Sequence, residues 1–353
     1  MRWCYILSDR GRCARSAGST VEERGMRLVV LEKVVPGSIL AMDIRLGPTT
    51  LLRKGYKLSD WEIRALGERG ISALYIEDKL SEDCIPTETI SERTRTLAVT
   101  TLEDAYRNFN ALSKDRVRRV RHIAEVMVDE ILERKDITVT IHDLRTYDDY
   151  TFRHSVNVTA LSLTIGREIG LERSELQMLA MGGLFHDIGK MEISLDILNK
   201  KGPLDDEERK EVQNHPLRGF DLLSERTETE PLIWALARQH HESLDGSGYP
   251  DRRKAGDIHP WAKLITVADI WDALRSDRPY KKGWPADKVI ELLKSLEMKG
   301  KLDRKTLRTF LSFVMPYPTG TEVLLSSGEK GLVLEQNREE PERPVVRIIE
   351  TAT

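Results

Sequence analysis

The spacing of apolar and polar residues divides this chain into segments of different character. From Met26 to about residue 80, short apolar runs alternate with turns. Met26-Arg27-Leu28-Val29-Val30-Leu31 opens the regular part, and Pro36-Gly37 marks a turn. Ser59 with Glu62 three positions later predicts a capping box that starts a short helix, ended by Gly70. Ile71-Ser72-Ala73-Leu74-Tyr75-Ile76 then predicts a strand. Residues 91–135 read as helical, with Val120, Ala124, Met127 and Ile131 on one apolar face. From 140 to 312 helical patterns follow one another with short connections. After Pro316 the period shortens again. Thr321–Leu325, Gly331–Leu334 and Val345–Ile349 predict a small β structure around a Ser-Gly turn.

These patterns predict a mainly α protein. Residues 1–25, rich in Arg, Ser and Gly and without a sustained period, are expected to be a disordered or mis-called extension, with Met26 as the natural start. Residues 26–85 form a small α+β module with no visible chemistry and a regulatory role. Residues 86–139 form a helical connector, 140–312 an all-helical catalytic domain, and 313–353 a C-terminal β appendage.

Charge narrows the partners. Lys and Arg number 55 against 58 Asp and Glu, a formal net charge of -3, so no global field favours a nucleic-acid polymer or an anionic membrane. The basic run Arg116–Arg121 reads as a solvated helix face. No apolar run is long enough to span a bilayer, and the apolar stretch at Cys4–Leu7 is too short for a signal-peptide core. Cys4, Cys13 and Cys84 have no metal-ligand spacing and read as free thiols in a reducing cytoplasm.

The candidate chemistry lies in the helical region. Five of the eight histidines, His154, His186, His215, His240 and His241, fall there close together. His154 leads a stripe of Val158, Leu161, Ile165 and Ile169, which turns it towards the core. His186 and Asp187 end the apolar run Leu179–Phe185 on what reads as a buried helix, and Asp269 sits in the apolar run Leu264–Ile270. A buried carboxylate needs a partner. Gly182-Gly183 allows close helix approach, so that side chains from different helices converge. Imidazole with carboxylate and no thiolate suits Mn, Fe, Zn or Ni and argues against a Cys-rich structural zinc site.

Four segments carry a family resemblance. His186-Asp187-Ile188-Gly189-Lys190 resembles the signature of the HD phosphohydrolase superfamily. His240-His241-Glu242-Ser243-Leu244-Asp245-Gly246-Ser247-Gly248-Tyr249-Pro250 resembles the second signature of its HD-GYP branch. Asp149–Ser155 and Asp277-Arg278-Pro279-Tyr280-Lys281 match that branch in kind, order and spacing.

The resemblance covers about residues 140–312 and implies a helical, metal-dependent cyclic di-GMP phosphodiesterase. It implies His154, His186, Asp187, His215, His240, His241 and Asp269 as metal ligands, with Asp187 bridging two ions. It also implies two divalent metals, iron or manganese foremost, because Tyr150 stands where some relatives carry a glutamate for a third. A hydroxide bridging the metals would attack the phosphorus.

Asp187 and Lys190 are the expected catalytic residues, Lys190 reaching a phosphate oxygen from one turn beyond Asp187. Lys190, Tyr249, Asp272, Arg278 and Lys281 are expected to bind substrate; Tyr249 packs on a base or orders its loop, and Asp272 either assists the ligand shell or accepts a hydrogen bond from a ligand. His259 reads as a helix-start residue, and His122 and His142 as structural or exposed.

The expected reaction converts cyclic di-GMP to pGpG, with GMP as a further product. The alternatives are hydrolysis of another cyclic dinucleotide, a di-iron oxygenase, which HD folds also host, and a non-catalytic module binding proteins through the GYP surface. Lys190 with Arg278 and Lys281 favours a phosphate substrate over the oxygenase, and the intact ligand set argues against the module. Protein partners at the GYP surface and a homodimer are compatible with this reading without being dictated by it.

Overall fold

The computed structural model describes residues 25–351 apart from 47–48, 70, 72, 78–80, 82–88, 109–113, 135–149, 201, 277–282, 338–339 and 342. The expected extension therefore lies outside the described residues except for Gly25, as do Cys4, Cys13, Cys84, Gly70 and His142. The chain divides into two compact units.

The first unit holds the N-terminal strands β1 (Arg27–Val30), β2 (Ile39–Leu40), β3 (Ile44–Leu46) and β4 (Thr49–Leu52), helix α1 (Asp60–Glu68) and strand β5 (Ala73–Glu77). Strand β5 pairs antiparallel with β1 on one side and β2 on the other, while β3 and β4 form a hairpin. Ser59 caps α1, accepting from the Trp61 amide while Glu62 accepts from the Ser59 amide in a capping box. The hydrogen bonds of Ser59 and Tyr56 hold the Glu62 carboxyl down at about 2. Val29, Leu40, Ile44, Leu58, Leu66, Leu74 and Ile76 form the core.

The expected C-terminal appendage is not separate. Its strands β6 (Glu322–Leu324), β7 (Lys330–Glu335) and β8 (Val345–Glu350) form an antiparallel sheet that joins this same unit. Leu28 bridges to Thr321 in parallel and donates its amide to the Gly320 carbonyl at 3.0 Å. Gly320 has φ +85°, a conformation that favours glycine.

The second unit is helical. It contains α2 (Glu92–Arg107), α3 (Lys114–Glu133), α4 (Tyr150–Glu168), α5 (Arg173–Phe185), the short α6 (Leu195–Leu198), α7 (Asp206–Gln213), α8 (His215–Arg226), α9 (Pro231–Gln239), α10 (Pro260–Arg275), α11 (Ala286–Met298) and α12 (Arg304–Phe313). The expected connector belongs to this body: α2 and α3 pack on α4 and α3 packs on α5. Val120, Ala124, Met127 and Ile131 are all buried, as their spacing predicts.

Helix α4 departs from the one-stripe expectation. Residues 152–166 are buried on every side, including Ser155, Thr159, Ser162 and Thr164. Three of these hydroxyls are satisfied within the helix. Ser155, Thr159 and Thr164 donate to the carbonyls four residues back, at 3.2, 2.6 and 2.8 Å. These three hydroxyls therefore enter the core at little cost, and α4 becomes a central rather than a surface helix.

The glycine pair packs as expected. A Cβ on Gly182 would lie 2.3 Å from Leu236 of α9, and one on Gly183 would lie 2.7 Å from Thr159 of α4. Helix α5 is thereby held close to both α4 and α9.

Candidate metal centre

Four histidine rings present the same nitrogen, three of them for the same physical reason. His186 follows α5, His215 follows the last turn of α7, and His240 follows α9. Each donates Nδ1–H to the carbonyl three residues back: Gly183, Val212 and Ala237, all at 2.7 Å. Helix C-termini leave carbonyls without intrahelical donors, and these bonds satisfy them. His154, on α4, turns its Nδ1 to Asp272 Oδ2 at 2.7 Å. A carboxylate accepts and does not donate, so Nδ1 carries the proton there too. In every case Nε2 is left as a bare lone pair.

Those lone pairs converge on two carboxylates. Asp187 Oδ1 lies 3.2 Å from His215 Nε2 and 3.8 Å from His240 Nε2. Its other oxygen, Oδ2, lies 3.5 Å from His186 Nε2 and 3.7 Å from His154 Nε2. Asp269, on α10, approaches His154 Nε2 at 3.0 Å and His241 Nδ1 at 3.6 Å. The ligating atoms fall into two sets, Asp187 with His215, His240 and His241, and His154 with His186 and Asp269. Asp187 faces both sets, one oxygen to each.

The arrangement fits divalent cations. His186 Nε2 is fully buried and has no hydrogen-bond partner. His215 Nε2 and His240 Nε2 face each other at 3.2 Å with no hydrogen between them, an arrangement that a cation resolves. The C-terminal ends of three helices, each carrying partial negative charge, meet at the same place. The donor set contains imidazole and carboxylate and no sulfur.

The ionisation states agree with this. Burial pushes the imidazoles of His186 and His240 down and takes His241 to about 3, so all three stay neutral. Burial opposes charge on Asp187, but Lys190, His186 and His215 outweigh it and hold the carboxyl well below its usual range. Burial is likewise overcome at Asp269, whose carboxyl is held low by the His154 and His241 rings beside it.

This predicts how the metal-free protein responds to acid. A histidine depressed in the folded state binds its proton more readily when unfolded, so stability falls as pH drops below about 6.5. Aspartates with lowered values add their loss only below about pH 4. Between pH 7.5 and 5.0 the urea midpoint of the apo protein is expected to fall, the unfolding free energy dropping by about 2 kcal/mol for each fully depressed histidine. An unchanged midpoint would show that these rings titrate normally.

All seven expected ligands are thus brought together. His186 and Asp187 differ from expectation in backbone setting. Helix α5 ends at Phe185, and Asp187 begins a 3-10 turn, Ile188–Glu192, that carries Lys190. The tighter turn places Lys190 Nζ 2.6 Å from Asp187 Oδ2. Gly189 makes it possible: a Cβ there would lie 2.0 Å from the His215 carbonyl oxygen.

Asp272 does not lie where substrate reaches it. It is fully buried behind His154, accepting from His154, from Asn157 Nδ2 at 3.1 Å and from the Ser276 hydroxyl. Its role as hydrogen-bond acceptor for a ligand stands, and its expected role as a substrate contact is corrected.

Tyr249 stacks on the ring of His241, with centroids 4.7 Å apart and planes at 30°. Burial, then Asp269 and Asp187, raise its hydroxyl well above the usual range, so it stays protonated. Arg278 and Lys281 lie outside the described residues, as does the Tyr150 side chain. His259 caps α10, accepting the Trp261 amide, and His122 is exposed, both as expected.

Three polar residues that sequence patterns do not single out build the surroundings. Glu242 is buried and accepts the amides of Asp251 and Arg253, each at 2.8 Å, which folds the Gly246–Pro250 segment back on itself. Gln239 Oε1 accepts the His259 amide at 2.7 Å and ties the end of α9 to the start of α10. Asn157 supports Asp272. An acidic residue directly after two ligand histidines, ahead of a glycine-rich loop, is the signal that could have found Glu242.

Comparison with known proteins agrees with this geometry. A family model described as an HD domain matches residues 105–306. A cyclic di-GMP phosphodiesterase of Pseudomonas aeruginosa is 37% identical over 233 residues, covering 65% of this chain and 56% of that protein. A 3'3'-cGAMP-specific phosphodiesterase of Vibrio cholerae is 36% identical over 144 residues, 41% of this chain and 31% of that one. The chain thus spans about half or less of the length of these curated relatives. A solved HDG"Y"P protein from Bdellovibrio bacteriovorus superposes with a TM-score of 0.51 over 81% of this chain and 98% of that one, at 14% identity, which shows a shared fold.

Fold and site together define a helical His/Asp metal-binding domain. The chain belongs to the HD domain family, and its residues 240–250 carry the HD-GYP signature. No helix among the described residues is long and apolar enough to cross a membrane.

Proposed function

We propose that the protein is a metal-dependent phosphodiesterase that hydrolyses cyclic di-GMP to pGpG, and pGpG onward to GMP. The observation that carries this is the set of four imidazole Nε2 lone pairs, their protons held elsewhere, gathered around Asp187. His154, His186 and Asp269 would hold one divalent ion and His215, His240 and His241 a second, with one oxygen of Asp187 turned to each; iron or manganese suits the donors. Such ions lower the pKa of a bound water and offset the negative charge of a phosphodiester.

The chain's own residues supply the rest. Asp187, held ionised, aligns the two sets of ligands. Lys190 keeps a side chain one-quarter exposed beside Asp187, so its ammonium can meet a phosphate oxygen while still paired. Tyr249 stacks on one face of His241 and helps to fix the ring. Arg278 and Lys281 would bind phosphate or the guanine edge. Water adds at phosphorus and the P–O3′ bond breaks, leaving a 5′-phosphate and a free 3′-hydroxyl. The unit built from the N-terminal strands and the C-terminal sheet has no cluster of metal-ligating side chains among its described residues, in keeping with a regulatory role.

The test is incubation of anaerobic iron-loaded and manganese-loaded protein with cyclic di-GMP, and chromatography of the products. Turnover is expected, and stripping the metal with a chelator is expected to abolish it. No turnover with either metal would refute the proposal. The relative specific for 3'3'-cGAMP favours a second reading, in which another 3',3'-cyclic dinucleotide is the better substrate. The same assay with 3'3'-cGAMP beside cyclic di-GMP separates the two by their kcat/KM.

A further inference from the structure

One helix outside the ligand set reaches the centre through a chain of directed hydrogen bonds. Arg95, near the start of α2, donates from Nη1 to Asn157 Oδ1. Asn157 donates from Nδ2 to Asp272 Oδ1 at 3.1 Å. Asp272 accepts His154 Nδ1–H on its other oxygen at 2.7 Å. Asn157, Asp272 and His154 are all buried, and the Arg95 side chain is 11% exposed.

The direction of every bond follows from the first. Guanidinium has donors only, so the amide oxygen of Asn157 must face Arg95. Its NH2 must then face Asp272. A carboxylate is an acceptor only, so the remaining oxygen takes the His154 proton and the Nε2 lone pair is aimed at Asp269 and Asp187. Without Arg95 the amide gains a second orientation, in which its oxygen confronts the carboxylate of Asp272. A buried network that is partly satisfied is costly and loses its unique geometry.

Helix α2 also braces the neighbouring ligand. Tyr106 donates its hydroxyl to the Leu184 carbonyl at 2.8 Å, where α5 stops and that carbonyl has no partner in the helix. Its ring lies parallel to that of Phe185, directly before His186.

We propose that Arg95 is a positioning residue for the metal centre, setting the His154 ring through Asn157 and Asp272. This rests on the metal-binding reading above. Outer partners of metal-ligating histidines typically contribute 10–100-fold to metal affinity, and Arg95, two hydrogen bonds beyond Asp272, is expected at the lower end, about tenfold.

The experiment is a cobalt(II) titration of metal-free full-length protein against a chromophoric chelator, with the visible ligand-field spectrum recorded. The wild type is compared with Arg95→Ala, Arg95→Lys, Asn157→Ala and the double variant. Arg95→Ala is expected to weaken one of two binding steps about tenfold and to alter the spectrum of that ion, leaving the other step unchanged. Arg95→Lys, which keeps a donor, is expected to restore much of the loss. In the Asn157→Ala background, removing Arg95 is expected to change nothing further.

Equal losses with and without Asn157, or a lower melting temperature with unchanged cobalt affinity, would overturn the proposal and leave Arg95 a packing residue. If Arg95→Ala fails to fold, Arg95→Lys against Asn157→Ala decides the same question. Failure of the wild type to bind cobalt would instead refute the metal reading on which the proposal stands.

Discussion

Replacing Asp187 by alanine is expected to lower the rate of cyclic di-GMP hydrolysis by about three orders of magnitude or more, with loss of bound metal from both halves of the site. The carboxylate faces both ligand sets, its Oδ1 towards His215 and His240 and its Oδ2 towards His154 and His186. Metal stabilisation of a transition state is worth several kcal/mol, and each 1.4 kcal/mol is tenfold in rate. Removal of the carboxylate also leaves Lys190 without its partner at 2.6 Å, but that side chain is one-quarter exposed and can turn to water. Folding is therefore expected to survive, so the loss is read as chemistry. Single-turnover kinetics and elemental analysis of the same preparation check this. A variant that keeps both ions and most of its rate would show that Asp187 is no bridge.

The second large effect is expected at a residue with no functional group. Gly189→Ala would place a Cβ 2.0 Å from the His215 carbonyl oxygen and 2.5 Å from the Gly219 backbone nitrogen. Both obstacles are backbone, so no side chain can swing aside. Overpacking of this kind costs about 3 kcal/mol or more, equivalent to a fall in melting temperature on the order of 10 °C. Relief requires the 3-10 turn to move away from α8, which separates Asp187 from His215. Metal affinity should fall together with stability. Gly202→Ala, where nothing lies within 4 Å, is the matched control and is expected to be neutral. Calorimetry of both variants, with and without metal, measures the difference. Equal melting temperatures would mean that the turn accommodates a methyl group.

The ligands were legible in the sequence because two independent features coincide at them. Periodicity placed His154 and Asp269 among buried apolar neighbours, the HD and GYP segments marked His186, Asp187, His240 and His241, and His215 followed from the family resemblance alone. Helix α1, β5 and the three C-terminal strands were legible for local reasons, a capping box and short apolar runs.

What failed to show was tertiary. Nothing in Thr321–Ile349 announces that these strands join the N-terminal unit, because one parallel bridge at Leu28 and Thr321 leaves no pattern in either segment. Residues 86–139 read as a connector because their polar residues look solvated; Arg95 is an arginine on an amphipathic helix until Asn157 is set beside it. Ala98, Leu102 and Ala105 recur at steps of four and three, and they mark the face by which α2 enters the core. The tight turn at Asp187 reads as helix, since local apolarity cannot distinguish the last turn of α5 from a 3-10 continuation. Asp272 lies one helical turn from Asp269, and that spacing says nothing about which side of His154 it occupies.

The two halves of the centre differ in how far their instructions travel. His186, His215 and His240 each take their tautomer from a carbonyl three residues earlier in the same stretch of backbone. The tautomer of those rings is set as soon as a single helical turn closes. His154 takes its tautomer from a residue 118 positions away, itself held by Asn157 and, beyond it, by the first turn of α2. The half with His215 and His240 is written locally, whereas the half with His154 and His186 mixes a local instruction with a relayed one. Adjustment of the centre from a distance would therefore act through His154, while an ion at His215 and His240 would stay fixed.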